Sequence, residues 1–360
     1  MALVDVLIPT YRRKTGLAVV LTSLLGQTFT DFDVIVSDQT ENDAAYLDSV
    51  EIQTLVRALR WHGHQVALHG GRERRGMAEQ RQFLLEQSRA PFVHYLDDDV
   101  LLDPPVMERM LGVTRAEGCG FVGCPAAGLG YLDDVRPHQQ NIELWTGPVQ
   151  PEPFTPDTIP WERHLVNNAA NPLHLEQRLA RDGRVVRYKV AWVGGANVLY
   201  DRAKLLDVGG FSWWRRLPPE HAGEEVVAQF LLIRKYGGCG ILPSGTYHLG
   251  LPTTVEDRSR NATELFGELI DEYDVHAPPC AYGVAGTPAC GRTSSGPQGH
   301  MGAHVALRQP GEGDLCGEQR PEGKGRADYR GRKRPGRSHG ASVRGGRLCR
   351  GLRGRQWAGG

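Results

Sequence analysis

Apolar residues in this chain fall into runs of two kinds, short unbroken ones and longer ones spaced at helical intervals. "ALVDVLIPTY" (residues 2–11) is an apolar run rich in Val, Ile and Leu and closed by Pro9, which predicts a buried strand. "TGLAVVLTSLLGQ" (15–27) places Leu17, Val20, Leu21 and Leu24 on a 3.6-residue period and stops near Gly26, which predicts a helix. "FDVIVSDQTEN" (32–42) is a second buried strand whose polar end begins at Ser37 and Asp38. Strand, helix and strand within about 40 residues is the pattern of a parallel βαβ unit. "MAEQRQFLLEQSR" (77–89) then supplies a helix, and "PFVHYL" (91–96) a strand that runs into Asp97, Asp98 and Asp99, with a short helix expected after "DPP".

From Gly128 to Arg187 the periodicity breaks down among Pro, Asn, His and Trp. "PWERHLVNNAANPLHLEQRLARDG" has room there for one or two short helices. "VVRYKVAWVGGANVLYDRAKLLDVGGF" (185–211) returns to strand, glycine turn, strand and short helix. "GEEVVAQFLLIRKYGG" (223–238) has acids at its head, Arg234 and Lys235 in its last turn and Gly237 as a stop, a well-formed helix. "CGILPSGTYHLG" (239–250) reads as a strand and then a loop carrying His248, and "TELFGELIDEYDV" (263–275) as the last helix. The class is α/β with a mostly parallel sheet. In such sheets ligands bind outside the carboxyl ends of the strands, where Asp38 and the aspartate triplet both fall.

Composition divides the chain. The formal net charge is zero over 360 residues, yet residues 277–360 carry 15 Lys and Arg against 5 Asp and Glu, and residues 1–276 carry 27 against 37. The basic tail has no Ile and no Phe, so it lacks the apolar surface that offsets ordering entropy. It is expected to be disordered; an Arg/Gly-rich RNA- or anion-binding tail and a shifted reading frame both fit it, the second better. Four of seven cysteines lie in it; Cys119, Cys124 and Cys239 have no zinc-ligand spacing and read as small core residues. No run approaches the roughly 20 apolar residues of a membrane span, and the first residues do not form a secretory leader. A cytoplasmic location is expected, with peripheral contact at the inner membrane face allowed.

Three adjacent carboxylates in one crevice must be neutralised by a divalent cation, by Arg and Lys, or by protons. Hard oxygen ligands suit Mg²⁺ or Mn²⁺, which bridge carboxylates to a diphosphate; a solvated turn or helix cap is the plainer alternative.

Four segments, in order, resemble the family 2 glycosyltransferases of GT-A fold. They are "VLIPTYRR" with "LTSLLGQT", "VIVSDQTEND", "RRGMAEQRQFLLEQSRAPFVHYLDDDV", and "GGF" followed by "GEEVVAQFLLIRKYG". The resemblance implies one catalytic domain, residues 1–276, with a nucleotide-binding half (1–105) and an acceptor-binding half (106–276). It implies transfer of a sugar from a nucleotide-diphosphate sugar to a carbohydrate, lipid-linked or other hydroxyl, dependent on Mn²⁺ or Mg²⁺, with inversion and with no specific nucleic acid as partner. Pro9, Thr10 and Tyr11 would lie along the nucleotide, Asp38 would meet its base, and Arg81 would approach the nucleotide or the aspartates. Asp97 and Asp98 would face the ribose, Asp99 would hold the metal, and His248 would add a third ligand. Glu225 would be the general base, with Glu224 sharing or taking that role, and Trp213 and Trp214 would stack on the acceptor. Each has a plain structural alternative: core packing for Tyr11 and the tryptophans, a cap for Asp38, an exposed helix arginine for Arg81, a surface site for His248, and helix-dipole complementarity for the glutamates.

The chain also departs from the family's pattern. Gln82 follows the helix arginine where Asn is usual, Leu84 stands at a small-residue position, and Glu225 replaces the usual Asp. Two other functions stay open. A nucleotidyltransferase would want a glycine run in "PTYRRKTG", which is missing, and a non-catalytic nucleotide-sugar binder would lack a working base.

Overall fold

The computed structural model describes residues 1–275 apart from Asp157, Glu256 and Asp274. The basic tail therefore lies outside the described residues. β1 (Val4–Thr10) is buried along its whole length and pairs in parallel with β2 (Phe32–Asp38), with α1 (Lys14–Leu25) between them. Next come α2 (Val50–Trp61), β3 (Val66–His69), α3 (Met77–Gln87) and β4 (Phe92–Leu96). β5 (Val100–Leu102), α4 (Val106–Glu117), β6 (Phe121–Gly123) and β7 (Ala127–Gly128) complete the first half. The second contains α5 (Asn171–Leu179), β8 (Val186–Tyr188), β9 (Asn197–Asp201), α6 (Arg202–Asp207), α7 (Glu224–Tyr236), β10 (Gly238–Leu242), β11 (Thr246–His248) and α8 (Phe266–Glu272).

Eight strands form the main sheet in the order β3-β2-β1-β4-β9-β6-β10-β8, and only β9 and β8 run against the others. The expected mixed, mostly parallel α/β architecture is therefore present. A second, small sheet joins β5, β11 and β7, and places His248 at the end of a strand rather than in a loop.

The period-2 alternation of strands sorts the core into two layers. Val6 and Ile8 pack with Leu17, Val20, Leu21 and Leu24 of α1, while Leu7, Val93 and Tyr95 face the layer that holds α3 and α7. Helix α7 is buried on nearly every side from Val226 to Arg234, as a helix apolar all round should be. Its Phe230 stacks on Phe266 (ring centroids 4.3 Å apart) and meets Trp161 edge-on at 5.9 Å. Burial of each such ring stabilises by roughly 1.5–3 kcal/mol. Trp161 and Phe154 thus anchor the irregular segment 128–187 to the core, with Trp161 against Trp192. The Cys119, Cys124 and Cys239 thiols are free and buried.

Candidate active site

Thr10, Asp38 and Asp97 end or follow β1, β2 and β4, so strand geometry alone brings them to one edge of the sheet. The Thr10 hydroxyl donates to Asp98 Oδ2 at 2.6 Å. With its single proton so used, Thr10 accepts from the Tyr46 hydroxyl at 2.5 Å. Pro9 lies within β1 opposite Ser37. The Tyr11 hydroxyl donates to Glu41 at 2.9 Å, and the Arg74 guanidinium sits 4.6 Å from the Tyr11 ring centre. Asp38 is buried and its Oδ1 accepts from the Thr40 backbone N–H at 2.8 Å; burial raises its pKa.

Arg12 takes a left-handed backbone (φ 56°), which a residue with a Cβ rarely adopts, and its N–H donates to Thr40 Oγ1 at 2.7 Å. That turn places Arg13 at the head of α1. Its Nη1 donates to Asp98 Oδ1 at 3.1 Å and to Asp99 Oδ2, and its Nη2 donates to the Pro252 carbonyl. Gly16 lets α1 come this close, since a Cβ there would lie 2.3 Å from the Asp98 carbonyl oxygen. The basic residues after the first strand were legible, but the contact of Arg13 with Asp99 and Pro252 depends on residues 86 and 239 positions away.

Arg81 is buried (2% exposed), not an exposed helix arginine. Its Nη2 reaches Asp97 Oδ1 at 3.1 Å and its Nε reaches Glu224 Oε1 at 3.1 Å. The Tyr95 hydroxyl donates to the Arg81 carbonyl at 2.6 Å and ties α3 to β4. The triplet is thus divided between two cations, Asp97 with Arg81, and Asp98 and Asp99 with Arg13. Burial outweighs these partners at Asp98, whose pKa is pushed up to about 7, and it raises Asp97 as well.

Glu224 and Glu225 open α7 behind Gly223, itself at φ 82°. Glu224 is held by Arg81, whereas the Glu225 carboxylate has no ion pair among the described residues. Burial and the neighbouring Glu224 carboxylate push Glu225 up to about 8. Gly195 lies against both groups: a Cβ there would come within 2.8 Å of Arg81 Nη2 and 3.0 Å of Glu225 Cγ.

His248 Nε2 is 3.4 Å from Asp99 Oδ2, and its Nδ1 accepts the Gly250 N–H at 2.9 Å. Among the described residues no group of three or more His, Cys, Asp or Glu side chains is arranged to hold a metal ion. Trp213 is in the core (2% exposed) beside Phe211, which leaves Trp214, capped by Arg215 at 4.7 Å from its ring centre, as the member of the pair with exposed surface. No described helix is long and apolar enough to cross a membrane.

Residues 5–173 match the family model described as Glycosyl transferase family 2. No curated protein matches the chain. Among solved structures it is similar to S. aureus TarS, at 15% identity and a TM-score of 0.42, over 76% of this chain and 39% of that one. It is similar also to TarS 1–349 in complex with UDP-GlcNAc (14%, TM-score 0.45), over 76% of this chain and 65% of that one. A third likeness is to the mannosyltransferase PcManGT of Pyrobaculum calidifontis in complex with GDP-Man and Mn²⁺ (17%, TM-score 0.40), over 66% and 56%. The chain spans less than two thirds of the length of these structures. The identification therefore rests on residues 5–173, just under half of the chain, which match the Glycosyl transferase family 2 model.

Proposed function

We propose that the chain transfers a glycosyl group from a nucleoside diphosphate sugar to an acceptor hydroxyl. The observation that carries this reading is the convergence of three carboxylates, two arginines and the acidic head of α7 at the carboxyl edge of a mostly parallel sheet. The match of residues 5–173 to the family model supports it. Thr10, Tyr11 and Asp38 line the part of that edge expected to take the nucleotide, and Asp38 is held there by the Thr40 turn. A carboxylate and an imidazole 3.4 Å apart fit a divalent cation that draws its other ligands from diphosphate and water. Asp99 and His248 would hold Mn²⁺ or Mg²⁺, which when bound neutralises the departing diphosphate.

The remaining roles belong to side chains of this chain. Arg81 fixes Glu224 on one side and Asp97 on the other, so Glu224 positions the arginine and Glu225 is the carboxylate left to take a proton. A base matched to its task has a pKa near the working pH, and the raised value of Glu225 meets that condition. The family resemblance implies a single displacement with inversion. Glu225→Gln should retain nucleotide binding and lose transfer, while Asp99→Ala should lose the effect of metal on binding. Full transfer by Glu225→Gln would remove Glu225 as the base, and metal-assisted binding by Asp99→Ala would remove Asp99 as the ligand.

A further inference from the structure

We propose that Arg13 is the resident cation of the free site, and that it and a divalent metal ion occupy the Asp99 carboxylate in turn. The inference rests on Asp99 being the metal ligand. Arg13 Nη1 contacts Asp99 Oδ2, the same oxygen that lies 3.4 Å from His248 Nε2. It also donates to Asp98 Oδ1 at 3.1 Å, so one guanidinium bridges two carboxylates that would otherwise repel. The side chains concerned are 15%, 7% and 3% exposed for Arg13, Asp98 and Asp99, which leaves little water to screen a second cation beside the first.

The histidine is set in the same way. Its Nδ1 accepts the Gly250 N–H, so the neutral ring carries its proton on Nε2 and presents it to Asp99. Ligation of a metal through Nε2 would move that proton to Nδ1 and so break the bond from Gly250.

Both interactions tie residues 249–254 across the site. Leu249 N–H donates to the Asp99 carbonyl at 2.8 Å, Arg13 Nη2 donates to the Pro252 carbonyl, and Arg74 Nη2 donates to the Thr254 carbonyl at 3.2 Å. Arg13 and Arg74 thus hold this strap. A diphosphate bound with a metal would offer Arg13 new oxygens, and the side chain, in leaving Asp99, would also release the Pro252 carbonyl. The Arg12–Thr40 turn fixes the Arg13 backbone, so the motion is that of the side chain.

The test is Mn²⁺ binding to the full chain without nucleotide, followed by the electron paramagnetic resonance signal of free Mn²⁺. Arg13→Gln, which loses the charge, should bind Mn²⁺ at least roughly tenfold more tightly than the unaltered chain, with Arg13→Lys between them and Asp99→Asn showing no tight site. Equal or weaker binding by Arg13→Gln, or no binding by either protein, overturns the proposal. Hydrogen exchange on the unaltered chain gives a second readout that needs no variant. Saturating Mn²⁺ should speed exchange at the Leu249 and Gly250 amides, and metal binding with those amides unchanged also overturns it. A nucleotide titration separates the two levels: nucleotide binding without a gain of metal affinity in Arg13→Gln sinks the exchange and leaves the transferase reading standing. The reverse result sinks that reading alone.

Discussion

Arg81→Met tests whether one buried guanidinium organises the site. The substitution keeps much of the side chain's volume, and it leaves Asp97 and Glu224 without their ion pairs at 3.1 Å. The two halves are unequal, because the Glu224 side chain is 6% exposed and that of Asp97 is 30% exposed. Removing one partner of a buried pair costs about 3–5 kcal/mol, whereas exposed pairs contribute about 0–1 kcal/mol. The Glu224 half therefore dominates, and a total loss of about 3–5 kcal/mol is expected at pH 7. For a domain of this size that lowers Tm by roughly 6–20 °C.

The sign of the pH dependence follows from the same geometry. Burial already holds Asp97 above the ordinary carboxylate range, and removal of Arg81, which lowers it, raises it further. The native state then holds protons that the unfolded chain has released, so stability rises as pH falls. Urea unfolding at pH 5 and pH 7 should show the deficit shrinking at pH 5. A double-mutant cycle with Glu224→Gln should return a coupling of about 1–3 kcal/mol. A loss below about 1 kcal/mol, or a coupling near zero, would refute the argument that Arg81 is the shared counter-ion.

Glu225 must be ionised to accept a proton, so kcat/KM should rise with pH through a limb near 8, and a flat profile between pH 6 and 9 would count against it as the base. Gly195→Ala puts a methyl 2.8 Å from Arg81 Nη2 and 3.0 Å from Glu225 Cγ; transfer should fall by roughly tenfold or more and Tm should fall with it, since Arg81 is buried and held between two carboxylates. Unaltered activity would place the reacting groups elsewhere. Thr10→Val removes the donor to Asp98 and the acceptor for Tyr46 at a position 2% exposed, and denaturant unfolding should show a loss of about 1–3 kcal/mol.

Much of this framework was legible in the sequence because it is local. The helix period of Leu17, Val20, Leu21 and Leu24 and the unbroken apolar run of β1 report burial directly, and the structure buries all of them. Helix α2 and strand β3 went unread. The helix carries only Ile52, Val56 and Leu59 as buried residues, and the strand is four residues long at the sheet edge, so each gives a weak periodic signal. His248 was expected in a loop because three residues of β11 are too few to show alternation, and pairing with β5 from far upstream makes the strand. Arg81 and Arg13 mark the real boundary of legibility. Their positions in sequence were plain, but their partners lie between 16 and 239 residues away, and only the folded sheet brings them together.

The central claim is that the carboxylate edge binds a nucleoside diphosphate together with a divalent cation. Calorimetric titration of the full chain with UDP, GDP and dTDP, each with and without Mn²⁺, tests it most directly. At least one nucleotide should bind, Mn²⁺ should tighten it, and Asp99→Ala should abolish the metal's contribution. Binding that ignores Mn²⁺, or no binding by any of the three, would contradict it.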